Sequence, residues 1–266
     1  MKDQNAWHEL MASVEPVCDL LTKELRSRIA DDVTARITLA LLQNGLDSYR
    51  AIKILYAASF STQAQVLIRV LVEVRIDLQM FLRLTAENPQ KAARRVIDAM
   101  MLEKIRQQRE TDFGGHQLVD GAPSPVTLLS LEKKLVTKYG ASAGRAMRRH
   151  GFSGLSVRDR AITLGLSDLY NVVYRNFSRN VHGTDYMEHF RAQGIATESS
   201  VPEFEDSRDH VALSTAVTCL WKMATMVNDE IEHGLGEELH KFWQMCTSFD
   251  HWVPVPTGEG GNRAEV

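Results

Sequence analysis

The most apolar segment of the chain covers residues 63–86 and reads QAQVLIRVLVEVRIDLQMFLRLTA. Fourteen of residues 63–84 are apolar, and they surround most of a helical wheel. Charged residues, among them Arg69 and Glu73, interrupt the segment, so it is too charged to cross a bilayer. The segment therefore predicts a helix at the centre of a packed protein.

Helical spacing of apolar residues extends over most of the remaining chain. Gly45 marks a break, and the stretches 112–126 and 194–206 have the glycine, proline or polar content of loops. No alternating run of β-branched residues bounded by turns is found, so no sheet is predicted. The expected helices cover residues 8–30, 33–44, 47–60, 63–86, 89–111, 127–138, 141–150, 166–182, 208–233 and 236–249. The fold class predicted is all-α: a single-domain helical bundle with shorter peripheral helices.

Composition places the chain among ordinary packed proteins. Its 266 residues are 44% hydrophobic, and 31 Lys and Arg against 34 Asp and Glu leave a net charge of −3. The hydrophobic fraction excludes a disordered chain. The near-neutral charge excludes a protein coated in basic charge, although a local basic patch stays possible. Three cysteines, an odd number and far apart, favour a reducing compartment, and the N-terminal residues lack the apolar core of a signal peptide. We expect a cytoplasmic protein that does not contact membranes.

The helix expected at 166–182 carries a polar stripe opposite its apolar face. Its members recur every three or four residues, as helical neighbours do, and include neither Lys nor Glu, the usual solubilising residues. Arg, Asn, Ser and His suit directional hydrogen bonds and proton transfer. A solvated surface is the plainer interpretation, and a functional site is the alternative. The stripe consists of Asp168, Asn171, Arg175, Ser178, Arg179 and His182.

Part of this helix resembles a known signature. The segment 174–183, YRNFSRNVHG, resembles the R-x(4–6)-H motif of the HEPN superfamily, helical domains that include many metal-independent ribonucleases. The same segment, as Tyr-Arg-x-x-Ser-x-x-x-His-Gly, also resembles a poorly characterised bacterial family in or near that superfamily, which pairs it with an earlier Arg-x-x-x-Glu helix. Arg69 and Glu73 supply that second motif. The resemblance implies a HEPN-like core at about 47–233 within one helical domain, 1–253, followed by a disordered tail, 254–266.

The resemblance also assigns roles and partners. It places Arg175 and His182 in catalysis and Asn176 in support, without a metal or other cofactor. It further implies a homodimer whose two motif helices share a cleft, RNA as substrate, and a toxin or phage-defence setting with a neutralising protein partner. The chemistry agrees, because imidazole transfers protons near neutral pH and guanidinium offers fixed donors to phosphate oxygens. From the helical wheel we add Ser178 and Arg179 as phosphate contacts.

The charged pair in the apolar helix has two interpretations. Charges are expensive to bury unless they are matched, so Arg69 and Glu73 can form an internal ion pair that fixes helix register. Alternatively, Glu73 orients Arg175 or His182.

Two further groups of residues are weaker candidates. A basic run without acids predicts either a patch for the RNA backbone or a solvated helix face. His233, Glu237 and His240 could suggest a metal, but Gly234 and Gly236 break the helix, so no metal site is predicted. The basic run contains Lys133, Lys134, Lys138, Arg145, Arg148 and Arg149.

Three functions are consistent with these patterns. The first is a metal-independent endoribonuclease. The second is a non-catalytic helical dimer that binds a nucleotide, RNA or a protein through the same stripe, and the third is a structural regulator whose stripe packs at an interface. Fold resemblance alone does not separate them.

Overall fold

The structure is a computed structural model that describes residues 2–110, 125–175, 177, 203–249 and 252–255. Within these residues every regular element is a helix. The helices are α1 (Lys2–Ser13), α2 (Glu15–Arg28), α3 (Val33–Ala57), α4 (Ser61–Glu87), α5 (Pro89–Glu110), α6 (Pro125–Lys138), α7 (Ala141–His150), α8 (Val157–Thr163), α9 (Ser167–Leu169, continued by a π-helical turn at Tyr170–Tyr174), α10 (Glu203–Ile231) and α11 (Gly236–Thr247). The predicted all-α helical bundle is confirmed.

The helices group into two compact units. The first comprises Met1–Leu82 and Ala161–Val266, and the second comprises Arg83–Arg160. The predicted extents of the domain, its HEPN-like core and its tail stay predictions. None of the described helices is both long enough and apolar enough to span a membrane.

The core of the first unit forms where α3 packs against α2 and α10. Asp32 starts α3 because its carboxylate accepts hydrogen bonds from the N–H groups of Thr34 and Ala35 at 2.7 and 3.1 Å. Near the other end of α3, the Tyr56 hydroxyl donates to the carboxylate of Asp209, close to the start of α10, at 3.3 Å. Helices α3 and α10 therefore run antiparallel.

Gly45 lies inside α3, so the break predicted there is wrong. The prediction followed from the poor helix propensity of glycine. In the folded protein, a Cβ at Gly45 would lie 2.9 Å from Sδ of Met223 and 3.6 Å from Leu71. The glycine therefore provides room for a side chain of α10, which sequence periodicity does not reveal.

Other boundaries also differ from the predictions. The expected helix at 8–30 is two helices that meet at Val14, and α8 was not predicted. Residues 203–206 begin α10 instead of ending a loop, because glutamate, however polar, is a good helix former. Most of the expected loops at 112–126 and 194–206, and tail residues 256–266, lie outside the described residues.

In the second unit, polar contacts and close packing join α5, α6 and α7. Asp98 of α5 is almost buried and accepts hydrogen bonds from Tyr139, at 2.6 Å, and from Lys138. A Cβ at Gly144 of α7 would lie within 2.6 Å of Cα of Val136 in α6, so these two helices approach backbone to backbone. Such close packing fixes α7 against α6.

Candidate functional site

The motif helix has the polar and apolar division that its sequence predicts, as far as it is described. Leu169, Val173 and Phe177 are buried, whereas Asn171 and Arg175 are exposed. Asn176, Ser178, Arg179 and His182 lie outside the described residues, so their predicted roles stay predictions.

A π-helical turn precedes Arg175, which the sequence did not predict. The N–H of Arg175 donates to the carbonyl of Tyr170, five residues back, instead of to the residue four back. The rings of Tyr170 and Tyr174 stack with their centres 5.0 Å apart. Single π-helical turns occur often at functional sites, because the extra residue changes which side chains share a face. Here it changes the helical phase immediately before the candidate catalytic arginine.

Tyr174 joins the two sequence motifs. Its hydroxyl accepts a hydrogen bond of 2.9 Å from Nη2 of Arg69 and donates one of 3.4 Å to Oε2 of Glu73. The Arg69 guanidinium also lies 4.8 Å from the centre of the Tyr174 ring, within cation–π range. Arg69 and Glu73 are therefore linked through a residue of the motif helix, an arrangement that neither earlier interpretation of the pair included.

Burial keeps this link in a defined protonation state. Tyr174 is 8% exposed, and its burial, with a further contribution from the Glu73 carboxylate, raises the pKa of its hydroxyl above the ordinary value, although Arg69 opposes the shift. A tyrosine hydroxyl is protonated at neutral pH even at its ordinary pKa, and the upward shift keeps it able to donate to Glu73.

Arg175 is exposed and accessible to a ligand. Among the residues that the structure describes, none forms a hydrogen bond or ion pair with its guanidinium, so the alternative in which Glu73 contacts Arg175 is not seen there. Any contact from Glu73 to His182 lies outside the described residues. An arginine fork that no described residue engages is suited to bidentate binding of a phosphate or carboxylate.

A second arginine of α4, Arg75, was not recognised as special from the sequence. It is 1% exposed, and its Nη1 lies 3.9 Å from Sγ of Cys219 in α10. A buried guanidinium is tolerated only where surrounding groups compensate for its lost hydration. In the sequence, the burial of Arg75 is indicated by its position on a helix whose apolar residues surround most of the helical wheel.

The six basic residues of α6 and α7 are all exposed, but they are not equivalent. Lys138 pairs with Asp98, and Nη1 of Arg148 lies 2.7 Å from Oε1 of the nearly buried Glu132. The others form no ion pair with any described residue. These are Lys133, Lys134, Arg145 and Arg149.

The weak metal candidate has other partners in the structure. Glu237 pairs with Lys241 at 2.6 Å, and the His240 ring lies 3.0 Å from the Gln244 amide. No three His, Cys, Asp or Glu residues in the described part of the chain are grouped closely enough to hold a metal ion.

The chain was compared with known protein families. Residues 35–194 match the model of a family of unknown function, DUF5677. This region includes both the Arg69–Glu73 motif and the Arg175–His182 motif. No curated protein and no solved structure shows significant similarity to the chain.

Proposed function

The chain belongs to the DUF5677 family, and we propose that it is a metal-independent endoribonuclease of HEPN type. The observation that carries the proposal is the Arg175 guanidinium. It is exposed and lacks a partner among the described residues, and it directly follows Tyr174, which α4 holds through Arg69 and Glu73. Because Tyr174 is held against α4, the helix presents Arg175 from a defined position, and its guanidinium can stabilise negative charge on a phosphate.

The chemistry requires a base and a charge stabiliser. His182 accepts the proton of a ribose 2′-hydroxyl, and the 2′ oxygen attacks the adjacent phosphorus. Arg175 stabilises the negative charge that develops on the phosphate oxygens. The bond from phosphorus to the 5′ oxygen breaks, and that oxygen takes a proton from an imidazolium or from water. The products are a 2′,3′-cyclic phosphate and a 5′-hydroxyl.

The sequence resemblance supplies the remaining parts of the proposal. Two copies of the motif helix would face a shared cleft in a homodimer, where the second His182 can serve as the acid. A cytoplasmic location, a toxin or phage-defence setting and a neutralising protein partner belong to the same proposal.

An RNA-cleavage assay in EDTA tests this function. Arg175→Ala and His182→Ala should each lower the cleavage rate by about 100-fold or more, as loss of a proton-transfer or charge-stabilising group does. Arg26→Ala and His240→Ala are matched controls because both side chains are exposed and lie outside the motifs; they should cleave like the wild type. Equal cleavage by all five proteins would remove Arg175 and His182 from catalysis.

The same assay separates the alternatives. RNA or nucleotide that binds without being cleaved, and that binds less well to Arg175→Ala, would indicate a non-catalytic binding module. Absence of both binding and cleavage, with a dimer that Arg175→Ala disrupts, would indicate a structural regulator.

A further inference from the structure

The two compact units carry opposite charge. Residues 83–160 contain 15 Lys and Arg against 8 Asp and Glu, which gives this unit a net charge of +7. The rest of the chain contains 16 against 26, a net charge of −10. The overall balance of −3 conceals this separation. Concentrated like charge destabilises a compact unit through self-repulsion. A polyanionic partner would reduce this electrostatic repulsion in the positively charged unit.

Part of this positive charge lies on α6 and α7, which an ion pair joins. The Arg148–Glu132 pair joins α7 to α6. Lys133 and Lys134 directly follow Glu132 in α6, and Arg149 directly follows Arg148 in α7, so these cations lie within one helical turn of the pair along their own helices. Arg145 lies one helical turn before Arg149, on the same side of α7.

The helices under this surface are packed closely and joined by an ion pair. Gly144 permits backbone contact between α7 and α6, and the Lys138–Asp98 pair joins α6 to α5. Lys138 and Arg148 therefore serve the structure, whereas the cations that form no ion pair with a described residue are available to a ligand. We refer to these cations, Lys133, Lys134, Arg145 and Arg149, as the α6–α7 cation cluster.

We propose that the α6–α7 cation cluster binds the phosphate backbone of RNA and recruits it independently of the cleavage step. The choice of RNA among polyanions rests on the proposed function. Two of the four side chains are arginines, which suit bidentate phosphate contacts. The one aromatic residue between the two helices, Tyr139, bonds to Asp98 and is not free to stack on a base. Recognition by this cluster is therefore insensitive to base sequence and strongly dependent on salt.

The test uses RNA that cannot be cleaved. A fluorescent oligonucleotide carrying 2′-O-methyl groups at every position lacks the attacking hydroxyl, so anisotropy reports binding alone. For single strands the affinity falls with salt by a logarithmic slope of roughly −0.7 per phosphate contact, so four contacts correspond to about −2.8. Lys133→Gln/Lys134→Gln and Arg145→Gln/Arg149→Gln should each flatten the slope by about 1.4 and weaken binding at low salt by about tenfold or more.

A matched control removes the same charge elsewhere. Lys23→Gln/Arg26→Gln changes two exposed cations of the first unit and should leave the affinity within about twofold. If all three double variants weaken binding equally, the contact is non-specific and the proposal is wrong. Competition distinguishes RNA from other polyanions. If polyglutamate displaces the RNA at equal charge concentration, the partner is an acidic protein and the proposal is wrong. If anionic phosphatidylglycerol vesicles displace it, the partner is a membrane and the proposal is also wrong.

The outcome is separable from that of the proposed function. Failure to cleave unmodified RNA, with cluster-dependent binding of the methylated RNA, would reject the nuclease and support the binding surface. Cleavage that depends on Arg175 but is unaffected by both cluster variants, at low substrate concentration, would support the nuclease and reject the binding surface.

Discussion

The guanidinium of Arg69 donates a 2.9 Å hydrogen bond to the hydroxyl of Tyr174 and lies 4.8 Å from the centre of its ring. The two residues are 105 positions apart in the chain. This relationship fixes the π-helical turn that leads into Arg175 against the apolar helix α4. It also gives the Arg-x-x-x-Glu motif a role that does not require contact with substrate: Arg69 and Glu73 position the motif helix.

Tyr174→Phe should destabilise the protein. The change removes the hydroxyl between Arg69 and Glu73 and leaves two charged groups with a lost partner, which costs about 2 kcal/mol of unfolding free energy. Urea unfolding of the wild type and the variant measures this loss of unfolding free energy. Tyr170→Phe is the matched control, because it keeps the stacked ring and should cost less than about 0.5 kcal/mol. Equal losses for both variants would show that the hydroxyl link contributes nothing.

Asp98→Asn should reduce the sensitivity of stability to acid. Burial raises the pKa of Asp98, but hydrogen bonds from Lys138 and Tyr139 outweigh it and hold the pKa below the ordinary value of 3.8. A carboxylate with a lowered pKa stabilises the fold above that ordinary value, and the contribution is lost as the pH falls through the folded-state pKa.

The measurement is the unfolding free energy of wild type and variant between about pH 7 and about pH 2. We expect the variant to be less stable by about 2 kcal/mol at neutral pH and the gap to close in acid. Asp31→Asn, at an exposed position, is the control and should follow the wild type throughout. A gap that stays constant down to the lowest pH would contradict the assignment.

Gly144→Ala and Gly45→Ala should differ although both glycines lie inside helices. At Gly144 the new methyl group meets backbone atoms of Val136 in α6, which can only give way if α6 and α7 move apart. We therefore expect a loss of about 2 kcal/mol or more of unfolding free energy. At Gly45 it meets the flexible end of Met223, and the gain in helix propensity offsets the repacking, so the change should stay within about 1 kcal/mol. Thermal unfolding compares them directly, and a larger loss for Gly45→Ala would reverse the prediction.

The three cysteines should be unreactive in the native protein. All are buried, and burial raises the pKa of Cys18 and of Cys246 to about 12 and raises that of Cys219 despite the nearby Arg75. Thiolate is the reactive form, so a disulfide reagent at about pH 8 should modify none of them within minutes and all three after unfolding in guanidinium. One rapidly reacting thiol in the native state would show that a buried helix opens.

Much of the fold could be read from local patterns. The segment 63–86 has the composition of a central helix, and α4 matches it within two residues at its start and one at its end. The exposed position of Arg175 and the burial of Val173 also follow from helical spacing. Such patterns are predictable because side chains three or four residues apart share a helix face regardless of the surrounding structure.

The overall composition hides differences in charge between parts of the chain. A net charge of −3 gave no sign that residues 83–160 form a compact unit of +7. The six basic residues of α6 and α7 looked alike, and only packing showed that Asp98 and Glu132 pair with two of them.

The sequence by itself determined that the chain is helical, which faces of its helices are apolar, and that Arg175 belongs to the polar face of its helix. Only the tertiary structure decided that Tyr174 lies between Arg69 and Glu73, that Gly45 accommodates Met223, and that Lys138 and Arg148 are paired with acids. The physical reason is the range of the interactions. Helix periodicity depends on neighbours within one or two turns, whereas these contacts join residues far apart in the chain and form only when whole helices pack.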